Sequence, residues 1–225
     1  MAVDVHLPSA GFDCSDTNNK FEFLFDRSKD MDNPKVYRRI NGKFVMMRRS
    51  SDVSNHSDNG SFIPAPSPGK HDDKDFGTHH ARDAAFLFKT MNKNLPLFSS
   101  CLKVNSQLMH ILYFNLKLKY KTSLSEIISR LNSNDRISIT DKVNTNEVFS
   151  FGRDHGHYGR ILNQTVISLP SLHINENRKE VSGFCFTPQD GNSLLSSIAV
   201  TEWFLYPNSY ENKIQCMKPL FFNEV

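Results

Sequence analysis

Alternation of apolar and polar residues predicts mostly β-strands along this chain. In the longest alternating run, 108–120, the even-numbered positions are apolar or aromatic apart from one histidine, and several odd-numbered positions are polar. This pattern is typical of a strand with one buried face. Shorter runs predict further strands at 21–25, 136–140, 147–151, 158–169, 180–186 and 194–206.

The clearest local turn signal lies between positions 35 and 47. Two segments rich in apolar residues, 35–40 and 43–47, flank the dipeptide Asn41-Gly42. Asn-Gly readily supplies the two positive φ angles of a type I′ turn, so this region is predicted to form a β-hairpin.

Two helices are predicted from their starting residues. Asp83 is placed to cap a helix over 84–91, which the Leu-Pro step at 95–96 follows. Ser123 and Glu126 form a capping box, and apolar residues then recur at helical spacing up to position 131.

These elements together predict an α+β fold that is mainly β, an antiparallel β-sandwich decorated with two or three helices. The chain is interpreted as a single domain, 1–225, that begins with an extended arm over 1–20. Residues 50–80 are expected to form a long polar loop, because they contain too few apolar residues to offset the entropy of ordering.

Composition and charge exclude few classes of protein. The 225 residues carry 27 Lys and Arg against 24 Asp and Glu, a net charge of +3 without a concentrated basic stripe. The widely separated cysteines Cys14, Cys101, Cys185 and Cys216 are interpreted as reduced thiols of a cytosolic protein. No apolar run is long enough to predict a membrane span.

The densest polar cluster contains Asp154, His155 and His157. A His-x-His pair in a strand points both rings to one face, as a metal site needs, and one His could act as a base beside Arg160. A third ligand would have to come from elsewhere, and flanking glycines equally describe a polar turn. The turn is favoured, so neither a metal nor a catalytic residue is predicted, and these three residues stay the candidates for a metal.

Other signals speak against a common class of enzyme. No Walker loop, Gly-x-Gly-x-x-Gly, Gly-x-Ser-x-Gly or His-Glu-x-x-His motif occurs. A second polar cluster, His71-Asp72-Asp73 with His79-His80, lies in the predicted loop, where ordering a metal site would cost much entropy. These observations count only against an enzyme of a common class, and the interpretation as a non-enzyme without a cofactor rests on the resemblance that follows.

Three stretches resemble the polyhedrins of cypoviruses, which form the crystalline occlusion bodies of these insect viruses. They are Val36-Tyr37 through Asn41-Gly42 to Phe44-Val45; Glu180–Phe184 with Asn192-Ser193 and Ser197–Val200; and Tyr206–Tyr210. The resemblance implies a structural protein that assembles with itself, as trimers packed in a lattice, around virus particles in the cytoplasm of the host cell. It also implies dissolution in alkali, and it alone allows for a bound nucleotide.

Assembly contacts are expected where apolar or aromatic side chains stand near the end of the sequence. The apolar run at 220–222 should either dock on its own core or pack on another subunit. The candidates are Leu220, Phe221, Phe222, Tyr206 and Tyr210.

Two alternatives remain open. The first is an RNA-binding accessory protein, the one reading that gives the chain a nucleic-acid partner; it would use Arg38, Arg39, Arg48, Arg49, Arg153 and Arg160. The second is a metal-dependent hydrolase centred on His155 and His157. No membrane partner is expected under any of these interpretations.

Overall fold

Eight strands form one mixed sheet in the part of the chain that the structure describes. The structure, a computed structural model, describes residues 39–49, 65–90, 94–106, 108–134, 137–157, 164–187 and 194–225. The strands are β1 (Arg39–Arg48), β2 (Ser67–Pro68), β3 (Leu97–Lys103), β4 (His110–Leu118), β5 (Ile137–Thr140), β6 (Thr165–Ser168), β7 (His173–Ile174) and β8 (Glu180–Thr187). The helices are α1 (His79–Thr90), α2 (Leu124–Asn132), α3 (Thr145–Gly152), α4 (Leu194–Leu205) and α5 (Tyr210–Lys213).

The order of the strands in the sheet is β2-β3-β1-β4-β8-β6-β5, and β7 also pairs with β8. Two neighbouring pairs, β1 with β3 and β5 with β6, are parallel, and the other pairs are antiparallel. Each parallel pair is joined by a crossover that contains a helix, α1 in the first case and α3 in the second. Two β-α-β units therefore flank the antiparallel pair β4 and β8.

Helices cover the sheet on both faces. The larger apolar cluster lies on one face and joins Ala84 and Phe88 of α1 and Leu131 of α2 with buried residues of the central strands. The smaller cluster lies on the other face and includes Val148 of α3 and Val225. The predicted antiparallel β-sandwich is therefore wrong, because helices rather than a second sheet bury the apolar residues.

The predicted hairpin at Asn41-Gly42 is also wrong. Strand β1 runs without a turn through both residues, and Gly42 pairs with Leu97 of β3 and Leu116 of β4. The pairing register between β1 and β4 shifts between Arg39 and Asn41. The shift lies before Gly42, which pairs regularly with both neighbouring strands, so pairing with β3 and β4 outweighs the local turn preference of the dipeptide.

Two other predicted strands are helices. Residues 147–151 belong to α3, whose first turn is held by the side chain of Asn144, which accepts the backbone N–H of Glu147 at 2.9 Å. Residues 194–205 form α4. Helix α1 begins at His79, so Asp83 lies inside the helix and does not cap it.

Other predictions are confirmed. Strand β4 shows the expected alternation of buried and less buried residues. Ser123 caps α2, where its Oγ accepts the N–H of Glu126 at 3.3 Å.

Some predictions lie outside the described residues. These are the arm over 1–20, the strand over 21–25 and the part of the polar loop over 50–64. The remaining part of that loop contains β2, a turn at 73–77 and the start of α1. Within the described segments, no helix is both long and apolar enough to cross a membrane.

Candidate functional site

Five polar residues form one row across the sheet, which we call the polar row: Lys103, Arg48, His110, Thr187 and Thr165. Arg48 pairs with Lys103, and His110 pairs with Thr187. Arg48 and His110 lie one residue beyond the last paired positions of β1 and β4, and Thr165 and Thr187 lie one residue beyond those of β6 and β8. Residues directly opposite one another on adjacent strands project from the same face, so the row shares one face of the sheet.

Arg48 and Lys103 of the polar row lie where ligands bind in related architectures. The row includes the last residues of the parallel strands β1 and β3 and the first residues of β4 and β6. In open α/β sheets, ligands bind outside the carboxyl ends of parallel strands. Because strands are about 4.8 Å apart, the four steps from Lys103 to Thr165 span about 19 Å.

A backbone N–H favours one tautomer of His110. Its side chain is buried, and its Nδ1 accepts the N–H of Arg49 at 3.1 Å. A backbone N–H can only donate, so Nδ1 must carry the lone pair. In the neutral ring the proton is therefore on Nε2, which makes that nitrogen a hydrogen-bond donor.

The two threonines of the polar row are buried with unused hydroxyl groups. Thr165 is 0% and Thr187 is 1% exposed. The Oγ1 atom of each has no hydrogen-bond partner within the described residues. Leaving a buried hydroxyl unpaired costs about 1–3 kcal/mol, so a bound group or ordered water at this position would explain both. The polar row thus places two buried hydroxyls beside a buried imidazole and two cationic side chains.

A separate cleft of about 450 Å³ lies at the other end of β1 and β3. Its apolar wall consists of Phe76, Pro96, Leu97 and Phe98, and its polar groups are Asn41, Lys43 and Asp75. The volume is within the range of about 300–1,000 Å³ that is typical of small-molecule sites.

The turn at 73–77 holds one side of this cleft in place. The carboxylate of Asp73 accepts the N–H of Phe76 at 2.9 Å and that of Asp75 at 3.0 Å. The bond from Phe76 is the main cause of a lowered pKa for Asp73; burial opposes it, while the N–H of Asp75 and the charge of Arg82 support it. Two backbone bonds between Asp73 and Gly77 close the turn.

The structure places the predicted metal candidates in a segment with a π-helical turn, 153–157, directly after α3. His155 stacks on Phe151 with the ring centroids 4.0 Å apart, and its Nδ1 lies 2.8 Å from the carbonyl oxygen of Phe151. Asp154 pairs with Arg153 on the surface. The side chain of His157 lies outside the described part. In that part, no group of three or more His, Cys, Asp or Glu residues could hold a metal.

The second predicted polar cluster is split by the fold. His79 lies 3.7 Å from Asp72 and stacks with His80, whereas His71 contacts the hydroxyl of Ser100 at 2.9 Å. The contact between His79 and Asp72 joins the start of α1 to the preceding segment, and the contact between His71 and Ser100 joins that segment to β3.

The apolar end of the sequence docks on its own core. Phe222 packs edge to face on Phe151, and its backbone forms two hydrogen bonds with the side chain of Gln164. Tyr206 is exposed, whereas Leu220, Phe221 and Tyr210 are half-buried. Their role as assembly contacts stays a prediction.

Of the arginines named for RNA binding, the structure places Arg39, Arg48 and Arg49 in or next to β1, and Arg153 after α3. Arg38 and Arg160 lie outside the described residues.

Sequence reasoning missed the polar row as a unit, because its members come from five strands and share no spacing along the chain. Only the strand register brings them together.

Comparisons with known proteins point to dehydrogenases. The fold resembles two crystal structures of aspartate semialdehyde dehydrogenase II from Vibrio cholerae, the second of them a complex with ASA. The first has a TM-score of 0.61 at 8% identity and covers 88% of this chain and 62% of that one. The second has a TM-score of 0.57 at 8% identity, with coverage of 77% and 56%.

A sequence relative belongs to the same broad class. Glyceraldehyde-3-phosphate dehydrogenase from Sulfolobus acidocaldarius is 28% identical over 105 residues, which are 44% of this chain and 29% of the relative. The chain thus spans less than two thirds of the length of each of these proteins. No protein-family model matches the sequence.

These findings overturn several predictions. The structural occlusion-body protein is contradicted, together with its RNA-binding and hydrolase alternatives, because both comparisons return dehydrogenases. For the same reason, the interpretation as a non-enzyme is wrong. The prediction of no cofactor is wrong in part, because dehydrogenases as a class imply a nucleotide. The comparisons do not bear on the resemblance to polyhedrins, self-association or location in the cell, which stay predictions.

Proposed function

We propose that this chain is an oxidoreductase domain that binds a nicotinamide nucleotide at the polar row and acts on an aldehyde. The observation that carries the proposal is the agreement of two comparisons. A likeness in fold and a likeness in sequence return different dehydrogenases, and both are named for an aldehyde substrate. The fold alone could serve other functions, so the site must support the assignment.

The residues of the polar row fit the nucleotide. Lys103 and Arg48 supply positive charge for its phosphates at the carboxyl ends of parallel strands, the usual location for such groups. The hydroxyls of Thr165 and Thr187 are buried and unpaired within the described residues, so each could donate a hydrogen bond to an oxygen of the nucleotide. When bound, a nicotinamide nucleotide supplies the hydride acceptor or donor.

His110 has a defined chemical role in this proposal. Because its Nδ1 accepts a backbone N–H, its neutral ring can donate a hydrogen bond from Nε2 but cannot accept a proton there. It is therefore suited to stabilise negative charge on a carbonyl oxygen and unsuited to deprotonate a nucleophile.

The same strand register places the thiol of Cys185 near His110. Cys185 precedes Thr187 by two residues in β8, so it is a diagonal neighbour of His110 on the same face of the sheet. It is 0% exposed, and its Sγ lies 3.7 Å from the carbonyl oxygen of Leu112. A thiol enclosed in this way behaves as a core residue, so we assign it no chemical step.

Titration of the full chain with NADH and NADPH, followed by nucleotide fluorescence, tests the proposal. We expect saturable binding of at least one of them. Lys103→Ala should weaken it about tenfold, the usual value of one bond to a charged group. The matched control is Lys119→Ala, which removes an exposed lysine near the opposite end of β4 and should leave binding unchanged. Absence of binding at about millimolar nucleotide, or equal effects of both variants, would contradict the proposal.

A further inference from the structure

We infer that the cleft at the amino ends of β1 and β3 is a second ligand site, and that it binds a free α-amino acid with an apolar or aromatic side chain. The inference goes beyond the proposed oxidoreductase function. Lys43 of the cleft and Arg48 of the polar row are five residues apart in one strand, about 17 Å. They also project from opposite faces of the sheet, so the two sites are separate.

The charges of the cleft carry the inference. Lys43 and Asp75 both line it, and both are exposed. Among the described residues, neither side chain has an ion-pair or hydrogen-bond partner, although other charged groups nearby, such as Asp73 and Arg82, are paired. The cleft therefore presents one unpaired cation and one unpaired anion to the same small volume.

The rest of the lining is mainly apolar. The rings of Phe76 and Phe98 and the side chains of Pro96 and Leu97 form this wall. Asn41 adds an amide that can both donate and accept. A ligand that matches all these groups has an apolar side chain, a carboxylate for Lys43 and an ammonium group for Asp75.

The cleft is held in shape before any ligand binds. Asp73 fixes the turn that carries Asp75 and Phe76, and the carbonyl oxygen of Phe76 accepts the N–H of Ser99 at 2.9 Å. The ring of Phe98 is held edge to face by His71. A preorganised site loses little entropy on binding, which favours a small ligand with few contacts.

The opposite charges of Lys43 and Asp75 favour an amino acid over a nucleotide in this cleft. A phosphate group would gain from Lys43 but would be repelled by Asp75, so the two effects oppose each other. The zwitterion of an amino acid gains from both residues. This difference favours the amino acid even though the aromatic wall would also suit a base.

Calorimetric titration of the full chain tests the inference with three compounds: L-phenylalanine, L-phenylalaninamide and N-acetyl-L-phenylalanine. The amide lacks the carboxylate, and the acetyl compound lacks the ammonium group. We expect L-phenylalanine to bind, with each of the other two at least about tenfold weaker.

Two variants assign the contacts. Lys43→Met should remove the advantage of L-phenylalanine over the amide and leave its advantage over the acetyl compound. Asp75→Asn should do the reverse. Lys119→Met and Asp141→Asn, which remove exposed charges elsewhere, are the matched controls and should change neither ratio.

Two outcomes would overturn the inference: no binding of L-phenylalanine at about 10 mM, or equal binding of L-phenylalanine and its two analogues. Because the polar row is not tested by these ligands, none of these outcomes bears on the proposed oxidoreductase function.

Discussion

The backbone N–H of Arg49 donates a hydrogen bond to Nδ1 of His110 at 3.1 Å, across the ends of β1 and β4. This bond determines which nitrogen of a buried imidazole carries the proton. His155 shows the opposite arrangement, because its Nδ1 faces the carbonyl oxygen of Phe151, which can only accept. The two histidines should therefore be opposite tautomers when neutral.

Nitrogen-15 NMR can read both tautomers in one sample. Long-range ¹H–¹⁵N correlation spectra should show a protonated Nε2 and a bare Nδ1 for His110, and the reverse for His155. The same tautomer in both rings would remove the basis for treating His110 as a donor.

Thr187→Val is expected to leave the stability unchanged or to raise the free energy of unfolding by about 1 kcal/mol, because it removes a buried hydroxyl that has no partner within the described residues. Thr140→Val is the matched control. The Thr140 hydroxyl is equally buried but donates to the carbonyl oxygen of Val225 and accepts the N–H of Lys142. Its loss should cost about 1–2 kcal/mol in urea unfolding. If both variants lose the same stability, Thr187 has a partner in the free protein.

Gly77→Ala should destabilise the protein much more than Gly156→Ala. Both glycines have a φ of 78°. A Cβ on Gly77 would clash with the carbonyl oxygen of Ser99 and lie 2.8 Å from the ring of Phe98, whereas a Cβ on Gly156 would meet nothing within 4 Å. Gly156→Ala should cost only the left-handed conformation, about 1–2 kcal/mol. Equal midpoints in urea for the two variants would show that the 73–77 turn is not packed against β3 as described.

Asp73 should make part of the stability depend on pH. Its pKa is lowered in the folded protein, chiefly by the N–H of Phe76. The stabilisation is therefore present above the unfolded pKa and is lost as the pH falls through the lower, folded value. Melting temperatures from about pH 6 down to pH 2 should show a larger loss for the native chain than for Asp73→Asn. Parallel curves for the two proteins would contradict this account.

The sequence predicted elements whose signal is local. Strand β4 and helix α2 were found because the parity of apolar residues and the Ser123 cap are contained within a few neighbouring positions. The hairpin prediction at Asn41-Gly42 was wrong because the dipeptide favours a turn locally, whereas pairing with β4 keeps both residues in a strand. The strand prediction for 194–206 was wrong because a nearly continuous apolar run fits either a strand or a buried helix. Periodicity alone does not distinguish the two.

The arrangement of the sheet and the polar row could not be predicted in the same way. Both depend on which strands are neighbours and on their register, which is decided by contacts between residues far apart in the sequence. His110 and Thr187, for example, are paired across 77 positions. The cleft likewise needs β1, β3 and the turn at 73–77 to come together.

Hydrogen–deuterium exchange with and without NADH is the most direct test of the central claim, that the polar row binds a nicotinamide nucleotide. The account predicts slower exchange on nucleotide addition in peptides that contain Arg49, His110 and Thr187, with no change around Lys43 and Phe76. Unchanged exchange throughout the chain at saturating NADH, or protection confined to the cleft, would contradict it.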